Sequence, residues 1–186
     1  MKTDKKPQSW LHLGTIRLAR LHFLFVALLA IQTVMYDAWK LITPTALLNR
    51  WVVTAGLMIV TTTTWYLAKN TVRSTLAFKA LIWALITADI AVASFNVYTQ
   101  RGMASRAVAL YTLPIIISAV LLSRAALFTA AALSAAAYSS TAIAYFVLNF
   151  NEGYKIELYG EVGFYAVLFF VLASLLWIAI RSREKR

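Results

Sequence analysis

Cysteine is absent from the 186-residue chain. That absence excludes a disulfide framework, Cys-ligated zinc, an iron–sulfur cluster and thiol catalysis. Charge is scarce as well: 13% of residues are Asp, Glu, Lys or Arg, against about 25% in an ordinary soluble domain. Histidine occurs twice, at His12 and His22, and two isolated imidazoles without a matching carboxylate pattern make no metal site. Both read as interfacial residues. No domain-scale repeat, low-complexity tract or nucleophile–base pair is visible, so neither a catalytic site nor a cofactor is expected. What is present is apolar. Hydrophobic residues make up 61% of the chain and mean hydropathy is +0.72, the balance of a polytopic membrane protein whose surface faces lipid.

The net charge of +11 does not point to nucleic acid, because the basic residues lie almost entirely between or at the ends of apolar runs and at the chain ends, with no basic groove of interleaved aromatics. They read as orientation signals and as contacts to anionic lipid headgroups. A transmembrane helix needs about 20 mostly apolar residues, and six stretches qualify: residues 19–36, 46–67, 75–97, 108–122, 125–148 and 162–180. Val108 to Phe150 carries a single charged residue, Arg124. As one helix it would reach roughly 64 Å, twice the hydrocarbon thickness, so the chain must reverse, and Ser123-Arg124 is the polar place to do it. The fourth stretch is then short and carries Pro114, which leaves a re-entrant segment and five crossings as the alternative to six.

With six crossings, one side holds Lys2, Lys5, Lys6, Arg17, Arg20, Lys69, Arg73, Lys79, Arg124, Arg181, Arg183, Lys185 and Arg186. The other holds Lys40, Arg50, Arg101, Arg106 and Lys155. Thirteen cations against five place both termini in the cytoplasm. The fold expected is all-α: an interfacial amphipathic segment over residues 1–18, a six-helix transmembrane domain over 19–180 and a basic tail over 181–186. Thr43-Pro44 has the form of a capped start for the second span. Trp39, Trp51, Trp65, Tyr66, Tyr98, Tyr111, Tyr154 and Tyr159 lie near span ends, as an aromatic belt requires. The fifth span is rich in Ala, Ser and Thr, which permits close helix approach in lipid. It is expected at the centre of the bundle, with the bulkier sixth span at its edge.

Polar residues inside the spans are few. Asp89 falls near the middle of the third, where a charged carboxylate on an isolated helix costs at least a few kcal/mol, so it is expected to face the protein interior. Candidate partners are the hydroxyls of Thr61 and Thr62 in the Thr61–Thr64 run and those of Ser139, Ser140 and Thr141. Either a sensing cluster or a packing polar contact fits this pattern. Lys79 sits one turn inside its helix and reads as a snorkelling anchor. On the outer side, Arg101, Gly102, Ser105 and Arg106 form a turn. There Gly102 supplies a positive φ, Ser105 caps the fourth helix, and Pro114 serves as a helix hinge.

The segment from Asp89 through YTQRGMASRAVALYTLPIIISAVLLSRAALFTAAALSAAAY resembles the membrane-embedded input region of bacterial sensor histidine kinases with six transmembrane helices, the group that includes the type IV pilus sensor kinases. The resemblance rests on Asp89, Gly102, Ser105, Leu113-Pro114-Ile115 and Arg124. Arg101 and Arg106 depart from it, standing where Gly and Pro are usual. It implies a multi-pass protein of the bacterial plasma membrane, a homodimer that relays a stimulus through its last helix to a cytoplasmic kinase core or signalling partner. The chain ends at RSREKR just after that helix, without a phosphoacceptor helix pair or an ATP-binding domain. It is therefore expected to transfer no phosphate itself, whether as the sensor portion of a longer kinase or as a stand-alone relative. The rival reading is a small transporter or channel subunit, with Asp89, Pro114 and the hydroxyl-rich spans lining a polar path.

Overall fold

The computed structural model describes residues 6–70, 74–100, 102, 105–150 and 156–184. All regular structure among them is helical: α1 (Lys6–Ala38), α2 (Pro44–Asn70), α3 (Thr75–Thr99), α4 (Thr112–Ser118) flanked by 3₁₀ stretches at Arg106–Tyr111 and Ala119–Leu121, α5 (Arg124–Phe150) and α6 (Ile156–Glu184). Five of the helices are long and apolar enough to cross a membrane, and Arg106–Leu121 forms a shorter apolar segment. The chain divides into two compact units, Met1–Leu85 and Ile86–Arg186.

In the first unit α1 pairs with α2. Leu11, Thr15, Ala19, His22, Val26, Leu29 and Thr33 are buried on α1, and Arg50, Thr54, Leu57, Thr61, Thr64 and Ala68 on α2. Both sets advance by steps of three and four, the spacing of a coiled-coil seam. The seam is more polar than the outside, where Leu24, Leu28, Ile31, Val52 and Ile59 are exposed. In lipid there is no hydrophobic gain from pairing helices, so small and hydroxyl-bearing residues pack the contact. Each hydroxyl must still be satisfied. Thr15, Thr33, Thr54 and Thr61 donate to the carbonyls of Leu11, Leu29, Arg50 and Leu57, each at 2.8 Å, which is the i−4 bond open to a threonine in a helix.

The start of α2 has the expected cap. Ala46 N donates to Thr43 Oγ1 at 3.3 Å and Leu47 N to Thr43 O at 2.9 Å, while Pro44 occupies the first helical position, where no N–H is needed. Two boundaries differ from the sequence reading. The segment expected along the interface and the first span form one 33-residue helix. α6 begins at Ile156, so Glu157 and Glu161 belong to a helix and not to a loop. Pro7 stands in the first turn of α1, where a missing N–H is tolerated; no proline follows it in α1 and none lies in α6, and a helix once nucleated extends at little cost.

The second unit is built on α5. Leu127, Ala130, Ala131, Ser134, Ala135, Tyr138 and Ala142 are buried along one stripe, packed with Tyr111 and Ile115 from the short segment and with Phe169 and Ala173 from α6. Leu133, Val147 and Leu148 on the same helix are exposed. α5 thus carries the core of this unit on its small-residue face and exposes the other side. Small residues line only the face that needs close approach. α6 leaves Phe164, Val167, Val171, Leu175 and Ile178 exposed.

Candidate functional site

α3 carries a polar line on its buried face. Asp89 and Asn96 are seven residues apart and Gln100 follows four later, so all three share one side of the helix. Asp89 is 2% exposed and Asn96 4%. Asn96 Nδ2 donates to Val92 O at 2.9 Å, and its Oδ1 accepts from Gln100 Nε2 at 3.4 Å. Gln100 Oε1 accepts from Ser105 Oγ at 3.3 Å, and Ser105 Oγ accepts from Ala107 N at 3.0 Å. A continuous chain of hydrogen bonds therefore joins the end of α3 to the first turn of the short segment, whose N-cap is Ser105 with extended backbone. Asn96 and Gln100 did not stand out in the sequence reading, although their spacing from Asp89 was the available signal.

Between these elements lies Gly102, with φ +61°. A Cβ there would meet Tyr145 Cδ1 at 2.7 Å, Cγ at 3.0 Å and Cβ at 3.1 Å, so the tyrosine on α5 covers the glycine directly. Tyr98 on α3 packs edge-on against the same ring at 5.8 Å. Arg106 is exposed; Arg101 lies outside the described residues.

Deeper in the unit, the Tyr111 hydroxyl lies 2.8 Å from Ser94 Oγ and also bonds Thr141. Ser94 donates its only proton to Ile90 O at 2.8 Å. Tyr111 must then donate to Ser94, which leaves its oxygen to accept from Thr141. Tyr111 is fully buried, which corrects its place in an aromatic belt: the 3₁₀ winding turns it inward. Its ring meets Tyr138 at 5.9 Å and Phe169 at 6.0 Å, and Tyr138 meets Tyr165 at 5.4 Å. An aromatic cluster thus ties the short segment to α5 and α6. The Tyr138 hydroxyl and Ser134 Oγ are buried without a hydrogen-bond partner among the described residues. Each such group costs about 1–3 kcal/mol.

Thr61 and Thr62 belong to the first unit. Thr61 is buried and lies 2.8 Å from His22 Nδ1. Since the Thr61 proton goes to Leu57 O, His22 carries its proton on Nδ1 and donates it to Thr61. His22 is 4% exposed, a core residue and not an interfacial one. Thr62 is exposed. Ser139 donates to Ala135 O at 2.7 Å and Ser140 is exposed; both fall off the buried stripe of α5, and the hydroxyl of that helix that joins Tyr111 is Thr141. Pro114 is buried in the first turn of α4. It has no N–H for Leu110 O, so the α ladder cannot run back through it, and 3₁₀ winding precedes it. The reversal occurs at Leu122, φ +48°, with Ser123 O accepting from Leu127 N at 3.1 Å as α5 opens. Among the described residues no three His, Asp or Glu side chains come together to hold a metal ion.

A family model described as PilS-like transmembrane domain, with six transmembrane segments, matches residues 2–184. No curated protein and no solved structure matches the chain. The match takes up nearly the whole chain, and no kinase domain is found in it. With five long helices accounted for, the remaining segment is Arg106–Leu121. It holds six residues of 3₁₀ helix, seven of α-helix and three of 3₁₀ helix. At about 2.0 Å per 3₁₀ residue and about 1.5 Å per α residue, that extends roughly 28 Å. The hydrocarbon core is about 30 Å thick, so the segment in this winding comes close to the length of a span.

Proposed function

Because the chain belongs to the family of PilS-like transmembrane domains, we propose that it is the membrane-embedded input region of a sensor kinase, relaying a stimulus through α6 to a cytoplasmic kinase core. The observation that carries this reading is the form of α6: one helix from Ile156 to Glu184, joined to the short segment by the Tyr111–Phe169 ring contact. A displacement of that segment passes to α6 through packed rings, and a continuous helix passes it on as rotation or translation. The bias of thirteen cations to five supports a topology with both termini in the cytoplasm of a bacterial cell, a side on which a basic tail would meet anionic headgroups and the signalling partner. The exposed flank of α6, with Val167, Val171 and Leu175, is the face for pairing with a second copy.

The test is a fusion of the chain to a reporter histidine kinase, with alanines inserted after Ser182. One inserted residue turns the downstream helix by about 100°, whereas seven restore its phase. Output is expected to change with one alanine and return with seven. Output that ignores the phase refutes a relay through α6.

A further inference from the structure

The segment Arg106–Leu121 combines features that a simple short helix does not need. It changes winding twice, and at each junction a hydroxyl bonds three residues back: Thr112 Oγ1 to Ala109 O and Ser118 Oγ to Ile115 O, both at 2.7 Å. Left-handed residues, Gly102 and Leu122, stand beyond its two ends and isolate its winding from that of α3 and α5. Pro114 denies a fully α-helical form its bond to Leu110 O, which narrows the gap between the two windings. In the observed winding the segment is close to the hydrocarbon thickness of an average bilayer; entirely α-helical, it would be shorter by about 4 to 5 Å.

We propose that Arg106–Leu121 is a length-adjusting span that exchanges 3₁₀ for α turns as the surrounding bilayer thins. This rests on the reading of the chain as a sensor input region and names the class of stimulus, bilayer thickness. A span longer than the hydrocarbon is under pressure to shorten, and this one shortens by rewinding. Each 3₁₀ residue that becomes α-helical changes the turn by about 20°, so rewinding the stretch that ends at Tyr111 rotates that side chain relative to Arg106. Tyr111 then leaves Ser94. Tyr138, whose ring lies 5.9 Å away and whose hydroxyl is buried without a partner among the described residues, is the group positioned to take up a hydroxyl released this way. The observed winding thus satisfies Tyr111 and leaves the Tyr138 hydroxyl without a partner among the described residues, whereas the shorter winding pairs the two hydroxyls with each other. The contacts from Tyr111 and Tyr138 to Phe169 carry the change to α6.

The full cysteine-free chain allows a direct test. Arg106→Cys and Leu122→Cys, both at exposed positions, take spin labels, and pulsed electron spin resonance reads their separation in vesicles of short-, medium- and long-chain monounsaturated phosphatidylcholine. The expected result is a distance shorter by about 4 to 5 Å in the thinnest bilayer. Tyr138→Phe removes the unsatisfied hydroxyl and should hold the long distance into thinner lipid. Tyr111→Phe removes the anchor and should bring the short distance into thicker lipid; if it does not fold, Ser94→Ala breaks the same bond. A separation that is constant across the three lipids in the parent chain and in both variants overturns the proposal. Output of the kinase fusion in the same vesicles separates the two readings. A changing distance with constant output preserves the winding change and removes the relay, whereas a constant distance with output that follows the α6 insertions does the reverse.

Discussion

Gly102→Ala places a methyl group where two independent costs meet. The first is conformational: at φ +61° an L-residue with a Cβ is strained by about 1–2 kcal/mol. The second is steric. The methyl would stand 2.7 Å from Tyr145 Cδ1, which ring rotation can relieve, but also 3.0 Å from Cγ and 3.1 Å from Cβ, atoms tied to the α5 backbone. Relief therefore requires the turn or the helix to move, and forced overpacking of this kind costs about 1–3 kcal/mol. The sum is about 2–5 kcal/mol, a large share of the stability of a domain of this size. Denaturant titration in detergent micelles, followed by helical ellipticity, measures it. Repeating Gly102→Ala in a Tyr145→Ala background isolates the steric part: the loss should shrink to the conformational 1–2 kcal/mol, about what φ alone costs. A Gly102→Ala protein within about 0.5 kcal/mol of the parent, the scatter of an ordinary surface change, refutes the reasoning. An equal loss with and without Tyr145 refutes the contact while leaving the φ argument in place.

Thr61→Val removes the acceptor of His22 Nδ1 and is expected to cost about 0.5–2 kcal/mol in the same titration, with Thr61→Ser close to the parent; equal stability of the valine variant shows that the bond carries no weight. For topology, a cysteine at Ser123 should react with an impermeant maleimide only from the cytoplasmic side and one at Arg106 only from outside; labelling of Ser123→Cys in intact cells reverses the assignment. Asp89→Asn keeps shape and removes charge, and is expected to change output of the kinase fusion more than thermal stability. Unchanged output in both Asp89→Asn and Asp89→Leu marks the residue as a bystander.

The long helices were legible in the sequence because crossing a bilayer is a local demand: each backbone group must bond within its own segment, and the segment must be apolar over a known length. Caps and turns belong to the same class, since Thr43, Ser105 and the positive φ of Gly102 depend on a few adjacent residues. The family resemblance rested on such local marks, and the family match bears it out. Partner choice among the hydroxyls was another matter. Thr, Ser and Tyr can bond their own helix or a neighbour at similar cost, so composition did not reveal that Ser139 turns to Ala135, that Thr141 reaches Tyr111 or that His22 meets Thr61. Only helix rotation and register decide these pairs. The winding of Arg106–Leu121 also escaped the sequence, because 3₁₀ and α turns differ by one hydrogen-bond register and the same residues accept either. Burial of Tyr111 between Ser94 and Thr141, with its ring against Tyr138 and Phe169, selects the observed one, and those contacts exist only once α3, α5 and α6 have come together around it.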